Sequence, residues 1–237
     1  MTSQNHSLIE IRRAGERFHS DLGWLDSYHT FSFGEHHDPA YMGFEALRVI
    51  NDDTVAPNQG FGEHPHAGME IISYVISGQL QHRDSMGNGR IIKPGEFQYM
   101  SAGTGVRHSE FNPSPDEPVH FLQIWITPRE RGTEPRYQEL SMKERSLENS
   151  LTLVASPDGR DGSIAIHQDI DLSFGKLDAE KELTPVSPAP RHWIQLISGE
   201  LTLAGESLHP GDGAAVNGPT VPIRAVSDAE FILFSIS

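Results

Sequence analysis

Two short stretches of the chain combine residue types that bind transition metals. They are His64-Pro-His66 and His108-Ser-Glu110, in a chain that has 13 histidines in all. Residues i and i+2 of a β-strand point to the same face, so each stretch would direct two ligands to one side. Two such strands side by side would offer three imidazoles and one carboxylate. This donor set suits Fe, Mn, Ni, Cu or Zn better than Mg or Ca.

Neither stretch is specific by itself. A lone His-x-His occurs in many solvent-exposed loops, and Glu110 could simply pair with Arg107 at the surface. The two stretches share the same spacing, however, and they lie on either side of a segment dense in hairpin signals. A small β-barrel would use such a segment to bring them together, so the two stretches predict one metal site.

A zinc hydrolase is a rival interpretation of the same residues. Three imidazoles and a carboxylate would fill a tetrahedral zinc site and leave no position for substrate. The donor set therefore favours a metal that takes five or six ligands. A serine-hydrolase elbow, a Gly-rich phosphate loop and a Rossmann fingerprint are all missing from the sequence.

Short strands are the elements that would position these ligands. Apolar runs rich in β-branched and aromatic residues recur along the chain, separated by turn sequences such as Lys93-Pro-Gly-Glu96. The clearest runs are Leu47–Ile50, Glu70–Ile76, Val119–Ile126 and Leu151–Val154. With 22 glycines and 16 prolines in 237 residues, the chain is typical of an all-β sandwich or barrel protein.

A faint internal repeat indicates two β units. Ile76-Ser-Gly-Gln-Leu80 and Ile197-Ser-Gly-Glu-Leu201 are nearly the same, and a Pro-Gly-acid turn follows each of them. We therefore predict an N-terminal barrel over 1–130, a linker over 131–150 and a C-terminal barrel over 151–237. The linker is predicted to hold a short helix near 141–147, because Ser141 and Glu144 have capping-box spacing.

Charge and composition argue against several classes of function. The chain has 18 basic and 33 acidic residues, a formal net charge of −15, and no Lys/Arg cluster that would mark a nucleic-acid or anionic-membrane surface. Without cysteine it has no disulfide or thiol nucleophile. We see no signal peptide and no apolar run near the ~18 residues of a membrane span. We therefore expect a cytoplasmic protein.

The sequences of both metal-binding stretches are similar to the motifs of the pirin family of cupins. His64 to Glu70 reads His-Pro-His-x-Gly-x-Glu, and Gly105 to Glu110 reads Gly-x-x-His-x-Glu. Further stretches also resemble pirins, namely Phe31–Phe33, Phe44–Asp53, Ala155–Arg160 and Ile166–Asp169. The resemblance spans nearly the whole chain and is densest over 24–112.

This resemblance implies a bicupin, with two antiparallel β-barrel (jelly-roll) domains packed together. The N-terminal barrel would hold one divalent metal, with Fe(II) favoured over Ni, Mn, Co, Cu or Zn. Carried over by position, the metal ligands are His64, His66, His108 and Glu110. In many other cupins the glutamate of the first motif is the ligand, here Glu70, which has the parity to share a face with His66. The pirin pattern favours Glu110, which leaves Glu70 as an acceptor that orients a ligand imidazole.

The second repeat lacks these ligands. Pro185 and Ser187 stand at the positions equivalent to His64 and His66. Arg191 stands at the position of Glu70, and Arg224 at that of His108. We therefore expect no metal in the C-terminal barrel. Three other histidines, His167, His192 and His209, are interpreted as structural or surface residues.

Bacterial pirin-like proteins resemble quercetin 2,3-dioxygenases, several of which cleave the flavonol ring with O2 and release carbon monoxide. The resemblance thus implies a flavonol-like aromatic substrate, with Glu110 as both ligand and catalytic base. Phe33, Phe44 and Met100 are candidate pocket walls, although ordinary core positions would explain each of them better. Animal pirins look instead like iron-dependent nuclear co-regulators, and the family also allows regulators of metabolic enzymes. A non-enzymatic role with a protein partner is therefore the alternative.

Overall fold

The computed structural model describes residues 8–145 and 148–237, which consist almost entirely of strands and turns. The first strands in chain order are β1 (Ile9–Arg12), β2 (Phe18–Asp21), β3 (Leu25–His29), β4 (Leu47–Val55), β5 (Gly60–His66), β6 (Glu70–Ser77), β7 (Leu80–Asp84), β8 (Gly89–Ile92), β9 (Glu96–Ser101), β10 (Val106–Phe111), β11 (Val119–Ile126) and β12 (Arg136–Ser141). The later strands are β13 (Ser150–Ser156), β14 (Ile164–Ala165), β15 (Ile170–Leu177), β16 (Glu182–Leu183), β17 (Arg191–Ser198), β18 (Leu201–Leu203), β19 (Glu206–Leu208), β20 (Gly213–Asn217), β21 (Ile223–Ala225) and β22 (Ala229–Ile236).

The helices of the described residues are short 3-10 turns. They are Ala14–Glu16, Pro39–Tyr41, Met142–Glu144 and Arg160–Gly162. None of the helices within 8–145 and 148–237 is long and apolar enough to cross a membrane. The predicted all-β class is therefore confirmed.

Two compact units make up the chain. The N-terminal unit comprises Arg17–Arg145 and Asp158–Gln168, and the C-terminal unit comprises 8–16, 148–157 and Asp169–Ser237. This division differs from the predicted one at two places, because residues 8–16 belong to the C-terminal unit and Asp158–Gln168 belong to the N-terminal unit.

The N-terminal unit is built of two antiparallel sheets. The larger has the order β12-β9-β6-β11-β4-β3-β2, and the smaller has the order β5-β10-β7-β8. Strand β6 lies in the middle of the larger sheet, and its first six residues, Glu70 to Val75, are all buried. Burial on both faces explains why this strand was visible as a continuous apolar run rather than as an alternating pattern.

The internal repeat is visible as the same backbone geometry in both units. Gly78 and Gly199 have φ angles of +76° and +80°, a conformation that glycine adopts without strain. A Cβ atom on Gly78 would lie less than 3.0 Å from the Pro118 carbonyl oxygen, just before β11. A Cβ atom on Gly199 would approach the Asp228 carbonyl oxygen, just before β22, equally closely.

The Pro-Gly-acid turns also correspond in the two units. The N–H of Gly95 donates to Val75 at 2.9 Å, and the N–H of Gly211 donates to Leu196 at 3.0 Å. Each acceptor carbonyl lies three residues before the glycine of its repeat, Gly78 or Gly199. The short sequence match therefore reflects two copies of one β unit.

Strand β1 completes the C-terminal unit from the other end of the chain. The main sheet of that unit runs β1-β20-β17-β22-β15-β13, and Ile9 pairs with Val216. Ile9 and Ile11 pack against the core of the unit, and the N–H of Ala14 donates to Asp212 at 2.7 Å. Strand β1 thereby covers an edge that β20 would otherwise expose. Such a distant pairing leaves no local sequence pattern, which is why the predicted boundary differs.

The predicted closed barrels are wrong. The sheets of each unit are separate ladders, not closed barrels. The chain passes from β8 to β9, and so from one sheet to the other, through Pro94 and Gly95. Pro94 has no N–H for a ladder, and Gly95 has a φ of +79°. Strand β9 is paired on both sides, with β6 and β12, so β8 cannot extend its ladder onto β9 to close a barrel.

The predicted linker helix also differs from the structure. Residues 146–147 of the predicted helix lie outside the described residues, and the part before them is the three-residue turn Met142–Glu144. Ser141 does cap this turn, accepting from the N–H of Lys143. However, Ser141 also pairs with Glu96 as the last residue of β12. The pairing holds the chain extended up to Ser141, and the turn ends at Arg145, whose φ and ψ of −113° and 141° are extended.

Candidate metal centre

Strands β5 and β10 bring the two predicted stretches together. They pair antiparallel, with His64 opposite His108. The register shifts between His108 and Glu110, so Glu110 lies opposite Phe61 on β5. Strand β5 is at the edge of its sheet, where Pro65 can replace a hydrogen-bonding residue without breaking an inner ladder. The edge position thus explains how a strand can contain His-Pro-His.

The three histidines converge on one point. Their ring centroids are 4.8 Å apart for His64 and His66, 4.5 Å for His64 and His108, and 4.9 Å for His66 and His108. One ligand nitrogen from each ring lies within 4.8 Å of the other two. This spacing is suited to three imidazoles around a single ion.

Hydrogen bonding leaves ring nitrogens available in this cluster. Nδ1 of His64 lies 2.7 Å from the Gly62 carbonyl oxygen and donates to it, so its Nε2 keeps a free lone pair. Nε2 of His108 is buried and binds no described residue. Burial lowers the pKa of His66 to about 4 and that of His108 to about 3. Both rings are therefore neutral near pH 7, as ligand imidazoles must be.

Glu110 is fully buried beside the same cluster. It accepts from Ser73 Oγ at 3.1 Å and from Gln123 Nε2 at 2.6 Å. Burial raises the pKa of Glu110 to about 7. Its carboxylate lies within 4.8 Å of ligand nitrogens of His108 and His82, rather than of all three clustered rings. His108 is thus common to two groups of converging ligand atoms, one with His64 and His66 and one with His82 and Glu110. Arg107, the possible surface partner, pairs instead with Glu63.

Glu70 has a different place from the one expected. Its carboxylate accepts from the Tyr99 hydroxyl, from Ser101 Oγ at 2.7 Å and from the N–H of His167 at 3.1 Å. These partners occupy both carboxylate oxygens, and no ligand imidazole is among them. The expected role as an acceptor that orients a ligand imidazole is therefore wrong, and Glu70 ties β6 to β9 and to residue 167.

The other histidines that were interpreted as structural have structural contacts. Nε2 of His167 lies 2.8 Å from Nη2 of Arg136, and Nδ1 of His192 lies 3.0 Å from Ser235 Oγ. The N–H of His209 donates to Asp212 in the Pro-Gly-acid turn.

Sequence reasoning missed a buried pair behind the cluster, His82 and Asp84 on β7. Gln98 Nε2 donates to His82 Nδ1 at 3.2 Å, so His82 Nε2 carries the proton that it donates to Asp84 at 3.0 Å. Nδ1 of His82 lies 3.5 Å from Nδ1 of His108. Asp84 itself is held by the side chain of Asn88 at 2.8 Å. The His-x-Asp spacing just after the Gly78 turn was the available signal.

This pair fixes the orientation of His108, so we expect Asp84→Asn to weaken metal binding about tenfold. The neutral amide would polarise His82 less, and His82 would then accept less strongly from the His108 N–H. Competition with a chromogenic chelator would measure the affinity. Asp26→Asn is the control, because Asp26 makes a similar contact with His19 at 2.6 Å on the exposed surface. Equal affinities in the two variants would contradict this role.

The histidine cluster opens into a cavity of about 480 Å³, a volume ordinary for small-molecule sites. Trp125, Phe33, Phe61 and Ile71 give it apolar walls. The Trp125 ring meets His66 edge-on at 4.9 Å. Of the three candidate wall residues, Phe33 lines the cavity, whereas Phe44 and Met100 are buried core residues.

Comparisons with known proteins agree with this arrangement. Residues 10–126 match the Pirin family model, and residues 153–236 match the model described as the quercetinase C-terminal cupin domain. Quercetin 2,3-dioxygenase of Escherichia coli K12 is 47% identical over 231 residues, which is 97% of this chain and 99% of that protein. A putative quercetin 2,3-dioxygenase of Pasteurella multocida is 41% identical over 235 residues, 97% of this chain and 100% of that protein.

A solved structure is similar over the same length. The crystal structure of the bacterial pirin YhhW from Escherichia coli in complex with nickel(II) has 47% sequence identity and a TM-score of 0.92. The match covers 96% of this chain and 98% of that one. Both units, the histidine cluster and these relatives lead to one conclusion: the chain belongs to the pirin family.

Proposed function

We propose that this protein is a metal-dependent dioxygenase that opens the ring of a flavonol-like substrate. One divalent metal, Fe(II) in first place, would be held by His64, His66, His108 and Glu110. The observation that carries the proposal is the buried, unpartnered Nε2 of His108, since a buried polar atom normally has a partner. His108 converges with His64 and His66 in one group of ligand atoms and with His82 and Glu110 in another, on the wall of a cavity that also has aromatic residues.

The residues present fit such a metal. Three neutral imidazoles and one carboxylate provide nitrogen and oxygen donors of intermediate softness. Four protein ligands leave one or two positions open on a five- or six-coordinate ion. The proposal assigns no metal to the C-terminal unit, where Pro185, Ser187 and Arg224 stand at the equivalent positions.

Glu110 would accept the proton of the substrate. A bound divalent metal supplies acidification of a coordinated hydroxyl and adjacent positions for substrate and O2. As the carboxylate among the proposed ligands, Glu110 is the group that would receive that proton. Gln123 and Ser73 hold the carboxylate in place. Trp125 and Phe33 would hold the flat body of the substrate and exclude water.

Metal affinity should rise with pH up to about pH 7 and then level off. Below that pH the Glu110 carboxyl holds a proton that the metal must displace, whereas His66 and His108 are already neutral down to about pH 4. Calorimetry in two buffers of different ionisation enthalpy should show nearly one more proton released at pH 6 than at pH 8. Glu110→Gln should remove most of this difference. An unchanged difference in that variant would exclude Glu110 as the proton source.

Elemental analysis beside a quercetin assay tests the function. The protein is reconstituted anaerobically with Fe(II), quercetin is added, and O2 starts the reaction, which is followed by loss of the near-visible absorbance. About one metal per chain with turnover supports the proposal. One metal without turnover favours a protein-binding, iron-dependent role, for which a pull-down that depends on metal occupancy is the next measurement. No metal after reconstitution would overturn the proposal.

A further inference from the structure

Strand β4 carries a second polar pair that lines the same cavity. Asn51 and Asp53 are spaced i and i+2, so both side chains lie on one face of the strand. Both line the cavity with the histidine cluster, and they are only 4% and 3% exposed. The dioxygenase proposal uses neither residue. Buried polar side chains on a cavity wall need partners, so their hydrogen bonds show what they could bind.

Asn51 has a free amide nitrogen. Its Oδ1 lies 2.8 Å from Nδ1 of His29, whose Nε2 lies 3.0 Å from the hydroxyl of Ser20. Burial lowers the pKa of His29, so the ring is neutral, donates through Nδ1 to Asn51 and accepts from Ser20. This network uses only the oxygen of Asn51. Its amide nitrogen binds none of the residues in 8–145 and 148–237, and its two N–H donors remain available to a ligand in the cavity.

Asp53 offers an acceptor beside this donor. Ser27 Oγ donates to Asp53 Oδ1, and Oδ2 has no hydrogen-bond partner in the described chain. Asp53 therefore presents one carboxyl oxygen, and Asn51 presents two N–H groups, from neighbouring positions on one strand. Two oxygen substituents on adjacent ring carbons match this pair, one accepting from Asn51 and the other donating to Asp53.

A row of aromatic rings joins the histidine cluster to this pair. His66 contacts Trp125 at 4.9 Å, Trp125 contacts Phe33 at 5.5 Å, and Phe33 contacts His29 at 5.3 Å. His29 is the residue that hydrogen-bonds to Asn51. The pair is also close to the cluster across the sheet, because Asn51 lies opposite Gln123, which donates to Glu110. A flat ligand with several polar groups could therefore reach both.

We propose that Asn51 and Asp53 form a subsite that recognises two neighbouring hydroxyl groups on an aromatic ring, while another part of the same ligand lies at the histidine cluster. This inference rests on the proposed function and narrows it to substrates with a vicinal dihydroxy ring. Asn51 and Asp53 would set specificity and would take no part in the reaction itself.

Three flavonols that differ only in this ring test the subsite. Quercetin has two neighbouring hydroxyls there, kaempferol has one and galangin has none. Dissociation constants are measured anaerobically on the metal-loaded protein by quenching of tryptophan fluorescence. We expect quercetin to bind about tenfold more tightly than galangin, the ratio that one hydrogen-bonded pair supplies. Asn51→Leu, which keeps the side-chain size but removes the donors, should lower the ratio severalfold, because only the bond to Asp53 remains.

Two further variants keep the result interpretable. Asp53→Asn should abolish the preference for quercetin over kaempferol, and it serves if Asn51→Leu does not fold. Asn217→Leu makes the same change in the C-terminal unit and should keep the ratio of the unsubstituted protein. The metal content of each variant is measured to show that the histidine cluster is intact.

The outcomes separate this inference from the function on which it rests. A quercetin-to-galangin ratio that stays near ten in Asn51→Leu and a preference for quercetin over kaempferol that stays in Asp53→Asn would overturn the subsite and leave the dioxygenase proposal standing. Equal binding of all three flavonols by the unsubstituted protein would do the same. If none of the flavonols binds to the metal-loaded protein, both the subsite and the flavonol-like substrate class are wrong.

Discussion

Replacing His108 with alanine should abolish metal binding while the protein stays folded. His108 belongs to both groups of converging ligand atoms, one with His64 and His66 and one with His82 and Glu110. Its removal would therefore disrupt the whole site rather than one bond. The fold depends on the sheets and their apolar cores, unlike that of a zinc finger. Metal per chain, measured by elemental analysis after reconstitution, should fall from about one to near zero.

His192→Ala is the matched control for this prediction. His192 is also buried, at 1% exposure, but it lies in the C-terminal unit and contacts Ser235. It should lose some stability and keep its metal. Circular dichroism and thermal unfolding of both variants would show whether the fold survives. Full metal retention by His108→Ala, or its unfolding, would count against the site as we describe it.

Gly199→Ala should lower the stability of the protein strongly. The residue has a φ of +80°, and a Cβ atom would lie less than 3.0 Å from the Asp228 carbonyl oxygen. Left-handed backbone costs a residue with a side chain roughly 1–2 kcal/mol. The contact with a fixed carbonyl adds to this cost, so the free energy of unfolding should fall by about 3 kcal/mol or more. Urea denaturation measures it.

Gly205→Ala separates the two causes. Gly205 has a φ of +91° in the same unit, but a Cβ atom there would meet nothing within 4 Å. The backbone strain is therefore shared, and the steric contact is not. We expect Gly205→Ala to cost about 1–2 kcal/mol, clearly less than Gly199→Ala. Equal losses would mean that the approach to Asp228 has no energetic consequence.

The strands and the histidine cluster were predictable because both depend on local periodicity. Alternation places His64 with His66 and His108 with Glu110, and short apolar runs between turn residues mark the strands that carry them. The repeat was also readable, since Gly78 and Gly199 perform the same steric task in each unit.

The remaining features depend on partners far along the chain. Parity alone allowed Glu70 to face the cluster, but Tyr99 and Ser101 on β9 bind its carboxylate instead. The position of His82 behind His108 follows from the pairing of β7 with β10, which no local pattern shows. Capping-box spacing at Ser141 was likewise overruled by the pairing of β12 with β9. In each case tertiary pairing decided between local alternatives.

The place of β1 has a consequence for synthesis of the chain on the ribosome. Glu10 and its partner Asn217 are 207 residues apart. At roughly 5–20 residues per second, β1 is made roughly 10–40 s before β20. The strands of the two sheets around the histidine cluster all lie between Phe18 and Ser141. That unit can therefore fold while translation continues, whereas the first strand of the C-terminal unit stays unpaired until β20 has been made.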